Sequence, residues 1–229
     1  MLIEVPRDRV AILVLRIAGT AILLLSAILL VVLPSRPVHQ NVPGFQNPVV
    51  GFELASTPEH VLGILGGPDD PARDETVRRM NRGNRIDFLF LLAYPAFYVG
   101  IALLLAAHGT ASRGVTLAVL ALAGVMALGD ALENRELLRL AGMTDPAAML
   151  PALSRLRVFT SIKWAAIYAA SALVAACIWR ERGWWRWSAP FFAVAAILGA
   201  CSFVYLPALE IGSMVLVVAW IMTYIRAFR

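Results

Sequence analysis

The stretch VAILVLRIAGTAILLLSAILLVVL, residues 10–33, decides the fold, because Arg16 is its only charged residue. A helix needs about 20 mainly apolar residues to cross the ~30 Å hydrocarbon core of a bilayer, and this stretch has that length. It ends at Pro34, and no small-x-small cleavage pattern follows. We therefore interpret it as a retained membrane anchor and not as a signal peptide.

Five further apolar stretches follow, so the sequence predicts an all-α integral membrane protein, a bundle of six transmembrane helices in a single transmembrane domain, 1–229. The composition agrees, since 60% of the residues are hydrophobic and 15% are charged, against roughly 25% charged in soluble proteins. The mean hydropathy is +0.75. The predicted spans are residues 10–33, 86–107, 115–133, 158–179, 189–206 and 209–228.

The longest connection, residues 34–85, is too polar to cross a membrane but carries signals for short helices. Thr57 followed by Pro58 is typical of a helix start, with an N-cap residue and proline at the first helical position, and Gly66 would end that helix. Asp70 followed by Pro71 repeats the signal before residues 74–80, so the connection is expected to form one or two short helices, the second at 74–80 ahead of the second span. We expect these helices to lie on the membrane surface or to cap the bundle.

The arginine distribution favours no orientation by count, since eight lie on the side of both termini and ten on the opposite side. The first span usually dominates insertion, and the arginines of the long connection are interleaved with acidic residues. We therefore predict a multi-pass protein of the cell membrane, of the bacterial inner-membrane type, with a cytoplasmic N-terminus.

The basic residues flank the apolar runs, as headgroup anchors do, so membrane lipids are the expected partners and nucleic acid is not. Cys177 and Cys201 lie inside apolar runs, where cysteine is ordinary packing material. His39, His60 and His108 show no helical spacing to one another. No metal, cofactor or disulfide is therefore expected, and the sequence leaves the oligomeric state open.

Ionisable residues inside predicted spans are the candidates for function, because each costs about 2.5 to 3.5 kcal/mol on insertion scales. Asp130, Glu133 and Asn134 are spaced by three and four residues, so they project from one face of a helix. Lys163 is the only lysine of the chain. Unlike arginine, a buried lysine can lose its proton, and Lys163 is the natural counter-charge for Asp130 or Glu133.

Alternate crossing of the membrane places these residues, together with Asp87, at the same membrane face. The long connection, with Glu53, lies on that face as well. Tyr94 and Tyr98 extend the polar layer into the second span, since Tyr94 is two helical turns from Asp87. Pro95 between them should kink the helix and free a backbone carbonyl, which is compatible with a cavity.

Our leading hypothesis is a membrane protein that binds an amphipathic or isoprenoid-like lipid at one leaflet and, if it is an enzyme, transforms that lipid by acid–base chemistry. The hydrophobic setting favours a lipid-like ligand over a soluble one. The candidate catalytic residues are Asp130, Glu133 and Asp87, and the candidate substrate-binding residues are Lys163, Tyr94, Asn134, Tyr98 and Glu53.

Two alternatives stay open at this point. A small proton-coupled transporter would use the same carboxylates as proton-relay groups. A structural or assembly protein would use the charges only to lock its helices together. Because no phosphate-binding loop, zinc-binding HExxH or CxxC motif occurs, the sequence does not decide whether catalysis takes place.

Overall fold

The computed structural model describes residues 7–229. In this part of the chain all regular secondary structure is helical, with no strand. A short 3-10 helix, Trp184–Ser188, precedes the seventh of eight α-helices. The α-helices are α1 Arg7–Val32, α2 Pro48–Glu53, α3 Pro58–Leu65, α4 Arg73–Ala107, α5 Arg113–Ala141, α6 Pro146–Ile178, α7 Ala189–Ser202 and α8 Ala208–Arg226.

Five of the described helices, α1, α4, α5, α6 and α8, are long and apolar enough to cross a membrane. The chain is therefore a multi-pass helical membrane protein. Our count of six spans is not confirmed, because the segment 189–206 forms a helix of 14 residues, α7, followed by turns. At 1.5 Å per residue α7 is about 21 Å long, which is shorter than the ~30 Å hydrocarbon core.

α4 is a continuous helix of 35 residues. Our prediction of a separate short helix at 74–80 was wrong, because no proline interrupts the chain between that segment and Ile86, and each added residue contributes another helical hydrogen bond. Gly83 in this junction packs closely against Leu33, so its lack of a side chain serves packing and does not end the helix. α4 therefore carries its polar N-terminal turns directly into its apolar segment.

Two short capped helices, α2 and α3, lie in the connection between α1 and α4. The Asn47 side chain accepts a hydrogen bond of 2.8 Å from Val49 N at the start of α2. Thr57 accepts one of 3.4 Å from His60 N at the start of α3, as its sequence signal predicts. α3 ends at Gly66, whose φ of 90° favours glycine.

The described chain divides into two compact units. Unit 1 consists of the chain up to Ile22 together with residues 92–127 and 164–229. Unit 2 consists of residues 23–91 and 128–163. The helices α1, α4, α5 and α6 contribute residues to both units.

The apolar core of unit 2 fixes α2 and α3 against the ends of the long helices. Phe52 of α2 and Ile64 of α3 are completely buried in this core, and so are Met80 of α4, Leu140 of α5 and Leu156 of α6. Burying a side chain of this size stabilises the fold by about 1.5 to 3 kcal/mol. Because Phe52 is anchored in this core, the next residue, Glu53 at the end of α2, is held in a fixed position.

In unit 1 the start of α1 lies beside the end of α8. Arg16 Nε donates a hydrogen bond of 2.7 Å to Ala227 O, and the hydroxyl groups of Thr20 and Tyr224 lie 2.8 Å apart. As the residue number rises along α1 it falls along α8, so the two helices run antiparallel. α7 packs against α8 in the same unit.

Candidate functional site

Lys163 is the centre of a buried ionic cluster in unit 2. Its Nζ lies 2.7 Å from Glu133 Oε1, 3.0 Å from Glu53 Oε2 and 3.6 Å from Asp130 Oδ1. The side chains of Lys163, Asp130 and Glu133 are 7%, 5% and 1% exposed, so these ion pairs are shielded from the surroundings. Three carboxylates from α2 and α5 thus share one ammonium group on α6.

The spacing along α5 and a close helix contact place the acids around Lys163. Asp130 and Glu133 are three residues apart and therefore lie on one face of α5. Gly129 lets α6 approach this face, since a Cβ atom at residue 129 would lie 3.1 Å from Lys163 N. The backbone of α6 is in this way brought close enough for the lysine to reach both acids.

Asn134 connects the same face of α5 to α4. Its Nδ2 donates a hydrogen bond of 2.7 Å to Asp87 Oδ2. Asp87 is half-buried and experiences the charges of Asp130 and Lys163. One turn earlier on α4, Asn84 is buried, and its Nδ2 has no hydrogen-bond partner among the described residues.

Glu53 reaches the cluster from the connection between α1 and α4. Besides its contact with Lys163, its carbonyl oxygen accepts a hydrogen bond of 3.2 Å from Thr160 Oγ1. Thr160 and Lys163 are three residues apart, so one face of α6 holds both the backbone and the side chain of Glu53. α2 therefore adds an ionisable side chain to the cluster as well as apolar contacts.

The cluster holds more acidic than basic groups. Three carboxylates, from Glu53, Asp130 and Glu133, share the single ammonium of Lys163, and a fourth, from Asp87, lies within range of the charges of Asp130 and Lys163. Glu133 Oε2 is buried and has no hydrogen-bond partner among the described residues. An uncompensated buried charge is strongly unfavourable, so this arrangement calls for additional protons or for a ligand that donates hydrogen bonds.

The chemistry available here is hydrogen bonding and proton transfer. Carboxylates accept hydrogen bonds when ionised and donate one when protonated, while Asn84 supplies an amide donor. Within residues 7–229, no group of three or more histidine, cysteine or acidic side chains is positioned to hold a metal ion. A paired lysine and several carboxylates can together act as acid, base and counter-charge.

The two tyrosines of the sequence hypothesis lie in unit 1, where they contact other protein groups. Tyr94 donates a hydrogen bond of 3.3 Å to Met126 O. The hydroxyl group of Tyr98 lies 2.6 Å from Ser171 Oγ. Both rings are buried. These contacts give the tyrosines a structural role in unit 1, and their place in a substrate site stays a prediction.

Two polar residues on the same helix faces as cluster residues are not among the candidates from the sequence. Asn84 lies three residues before Asp87 and Thr160 three before Lys163, so helical spacing could have indicated both. Asn84 was overlooked because the start of the second span was placed at Ile86. Comparisons of the chain with protein-family models, with curated proteins and with solved structures give no match.

Proposed function

We propose that this membrane protein binds an amphipathic, lipid-like molecule at the Lys163 cluster and exchanges a proton with it. The observation that carries the proposal is the second carboxylate oxygen of Glu133, which is buried without a hydrogen-bond partner among the described residues. Leaving such a group unsatisfied costs about 1 to 3 kcal/mol, and more when it is charged. A ligand that donates a hydrogen bond to this oxygen would remove that cost.

The excess of carboxylates defines the chemistry of the ligand's polar end. A hydroxyl or amino group of the ligand can donate a hydrogen bond to Glu133 Oε2. A phosphate or carboxylate would instead add negative charge to a site that already has too much. The ligand's polar end is therefore a neutral or cationic hydrogen-bond donor.

Each residue of the cluster then has a separate role. Glu133 is the proton acceptor or donor, because one of its oxygens is held by Lys163 while the other is available. Lys163 keeps Glu133 oriented and balances part of its charge. Asp130 is a second acid beside the same ammonium, and the hydrogen bond from Asn134 positions Asp87.

The apolar part of the ligand follows from where the cluster lies. Glu133, Lys163 and Asp87 all belong to helices that are long and apolar enough to cross a membrane. A molecule that reaches them from the lipid phase needs an apolar body, and its polar end meets the charged groups. An alcohol or amine with a long hydrocarbon or isoprenoid chain has both parts.

The test is to identify what co-purifies with the protein. Wild type, Glu133→Gln and Glu75→Gln are extracted in a neutral maltoside detergent, and bound small molecules are identified by mass spectrometry. Glu75 is an exposed acid outside the cluster and serves as the matched control. We expect one amphipathic alcohol or amine to be enriched with wild type and with Glu75→Gln.

Loss of a charge-assisted hydrogen bond of about 1.5 to 3 kcal/mol should lower that enrichment by roughly 10- to 100-fold in Glu133→Gln. The same small molecules in the same amounts from all three proteins would contradict the proposal. An anionic ligand that is bound more strongly by Glu133→Gln than by wild type would contradict the assigned ligand chemistry.

A further inference from the structure

An apolar groove runs along unit 1 between α6 and α7. It has a volume of about 670 Å³, which is in the range of about 300 to 1,000 Å³ typical of ligand sites. Small side chains form most of its lining. The alanines that line it are Ala172, Ala175, Ala176, Ala189, Ala193, Ala196 and Ala200.

Arg186 lies at the rim of this groove. Its guanidinium carbon is 5.1 Å from the ring centre of Trp179, which lines the groove, and 5.1 Å from that of Trp187. The two indole rings therefore hold the guanidinium group by cation–π contacts. Arg186 Nε is buried and has no hydrogen-bond partner among the described residues.

The chain around Arg186 is positively charged. Arg180 and Arg182 are exposed in the same loop. The acid between them, Glu181, is already engaged, since its carboxylate lies 2.9 Å from His108 Nδ1 and accepts a hydrogen bond of 2.6 Å from Thr110. The loop before Arg186 therefore presents two exposed arginine side chains, and its one acid is already engaged.

We propose that the groove binds a phospholipid with an anionic headgroup, with an acyl chain along the alanines and the phosphate on Arg186. The planar guanidinium group matches phosphate oxygens better than any other side chain does. Tryptophan is enriched at the depth of the lipid headgroups. Because Trp179 and Trp187 contact the guanidinium group of Arg186, we place Arg186 at the same depth. Every residue involved belongs to unit 1, so the proposal is independent of the function proposed for the Lys163 cluster.

A phospholipid explains the groove better than a partner helix does. Packing of an apolar second helix would cover the alanines but supply no acceptor for Arg186 Nε. Anionic lipids are concentrated in the cytoplasmic leaflet, and they supply both an apolar chain and a negative phosphate. The positive rim and the apolar groove thus match two parts of one molecule.

The experiment compares two lipids that differ only in their headgroups. Purified protein in neutral detergent is titrated with dioleoyl phosphatidylglycerol or dioleoyl phosphatidylcholine, and binding is followed by native mass spectrometry and by the midpoint of thermal unfolding. We expect at least about tenfold tighter binding of the phosphatidylglycerol, because both phosphates can accept a hydrogen bond from Arg186 but the choline cation of phosphatidylcholine is repelled by the neighbouring arginines. Equal binding of the two lipids would overturn the proposal.

Two variants and one control locate the site. Arg186→Gln should abolish the preference for phosphatidylglycerol, whereas Arg113→Gln, which removes an exposed arginine elsewhere in unit 1, should retain it. Ala176→Leu fills the groove while leaving Arg186 in place, and should weaken binding of both lipids. Unchanged lipid binding in Ala176→Leu, a preference retained in Arg186→Gln, or a dimer that Ala176→Leu abolishes would each overturn the proposal.

Discussion

At the scale of single residues, the Lys163 cluster depends on Gly129, which has no side chain to take part in a reaction. Gly129 lies next to Asp130 and allows the backbone of α6 to approach α5 at Lys163. A Cβ atom at residue 129 would lie 3.1 Å from Lys163 N and 3.3 Å from its Cα, and a backbone cannot move aside as a flexible side chain can. The distance between the acids and the lysine is thus set by the missing side chain.

Gly129→Ala should therefore destabilise the protein. Forcing one carbon atom into this contact costs about 1 to 3 kcal/mol, which lowers the midpoint of thermal unfolding. Gly124 on the same helix is the matched control, because a Cβ atom there would meet nothing within 4 Å. Gly124→Ala should leave the midpoint unchanged or raise it, since alanine is the better helix former. Equal midpoints for Gly129→Ala and wild type would show that the close contact is not needed.

The residues of the cluster were predictable to different degrees. The spacing of Asp130, Glu133 and Asn134 indicates one helix face, and a lone lysine among arginines indicates the counter-charge. Glu53 carried a weaker signal, because its contact with Lys163 joins residues 110 positions apart. Helical periodicity indicates which residues of one helix lie on the same face. It does not indicate which residues of different helices, such as Glu53 and Lys163, come into contact.

At the scale of helices, an arginine on α4 stabilises the end of α1. Arg79 Nε donates to Val32 O at 3.0 Å, and its Nη2 donates to Val31 O at 3.0 Å and to Leu33 O at 2.9 Å. The last carbonyl groups of a helix have no partner within that helix, and they carry the negative end of its dipole. Arg79 therefore satisfies the end of α1 and joins it to α4.

Replacing Arg79 by glutamine should destabilise the protein by roughly 1 to 3 kcal/mol, because hydrogen bonds from a charged donor are lost. The neighbouring Arg78 is the control. Its side chain is 73% exposed and pairs with Glu75, which is 61% exposed, and surface ion pairs contribute little. Thermal unfolding should show a lower midpoint for Arg79→Gln than for Arg78→Gln. If the two variants unfold at the same temperature, Arg79 does not hold α1 to α4.

The helices also show where sequence signals succeed and fail. α3 begins and ends where its N-cap, proline and glycine predict. Asn47 and Pro48 give the same kind of start signal for α2, but a helix of six residues contains too few turns to show periodicity. The continuity of α4 was missed because polar residues were taken to end a helix, although a transmembrane helix can extend into water.

At the scale of the whole chain, the contacts of α1 with α8 have a consequence for topology. The hydrogen bonds Arg16 to Ala227 and Thr20 to Tyr224 place the beginning of α1 beside the end of α8. Both helices are long and apolar enough to cross a membrane. Because α1 and α8 run antiparallel, we predict that the start of α1 and the end of α8 lie on the same side of the membrane. In that arrangement the short α7 carries the chain from the end of α6 to the opposite side, and α8 crosses back.

Reporter fusions should therefore give the same result at both termini. A fluorescent protein that folds only in the cytoplasm and a phosphatase that is active only outside it can be fused to either end. We expect both fusion sites to be cytoplasmic, because the first span usually dominates insertion. Termini on opposite sides would contradict the antiparallel pairing of α1 and α8, and two external termini would contradict only the predicted orientation.

The most direct test of the central claim is the thermal stability of Glu133→Gln after lipids have been removed by exhaustive exchange into detergent. If the Lys163 cluster is a ligand site, it holds more negative charge than Lys163 can compensate, and functional sites are often maintained at some cost in stability. Neutralising Glu133 should then leave the unfolding midpoint unchanged or raise it. If the charges only lock α5 to α6, breaking the 2.7 Å ion pair should lower stability by about 3 to 5 kcal/mol. The second result would contradict the account.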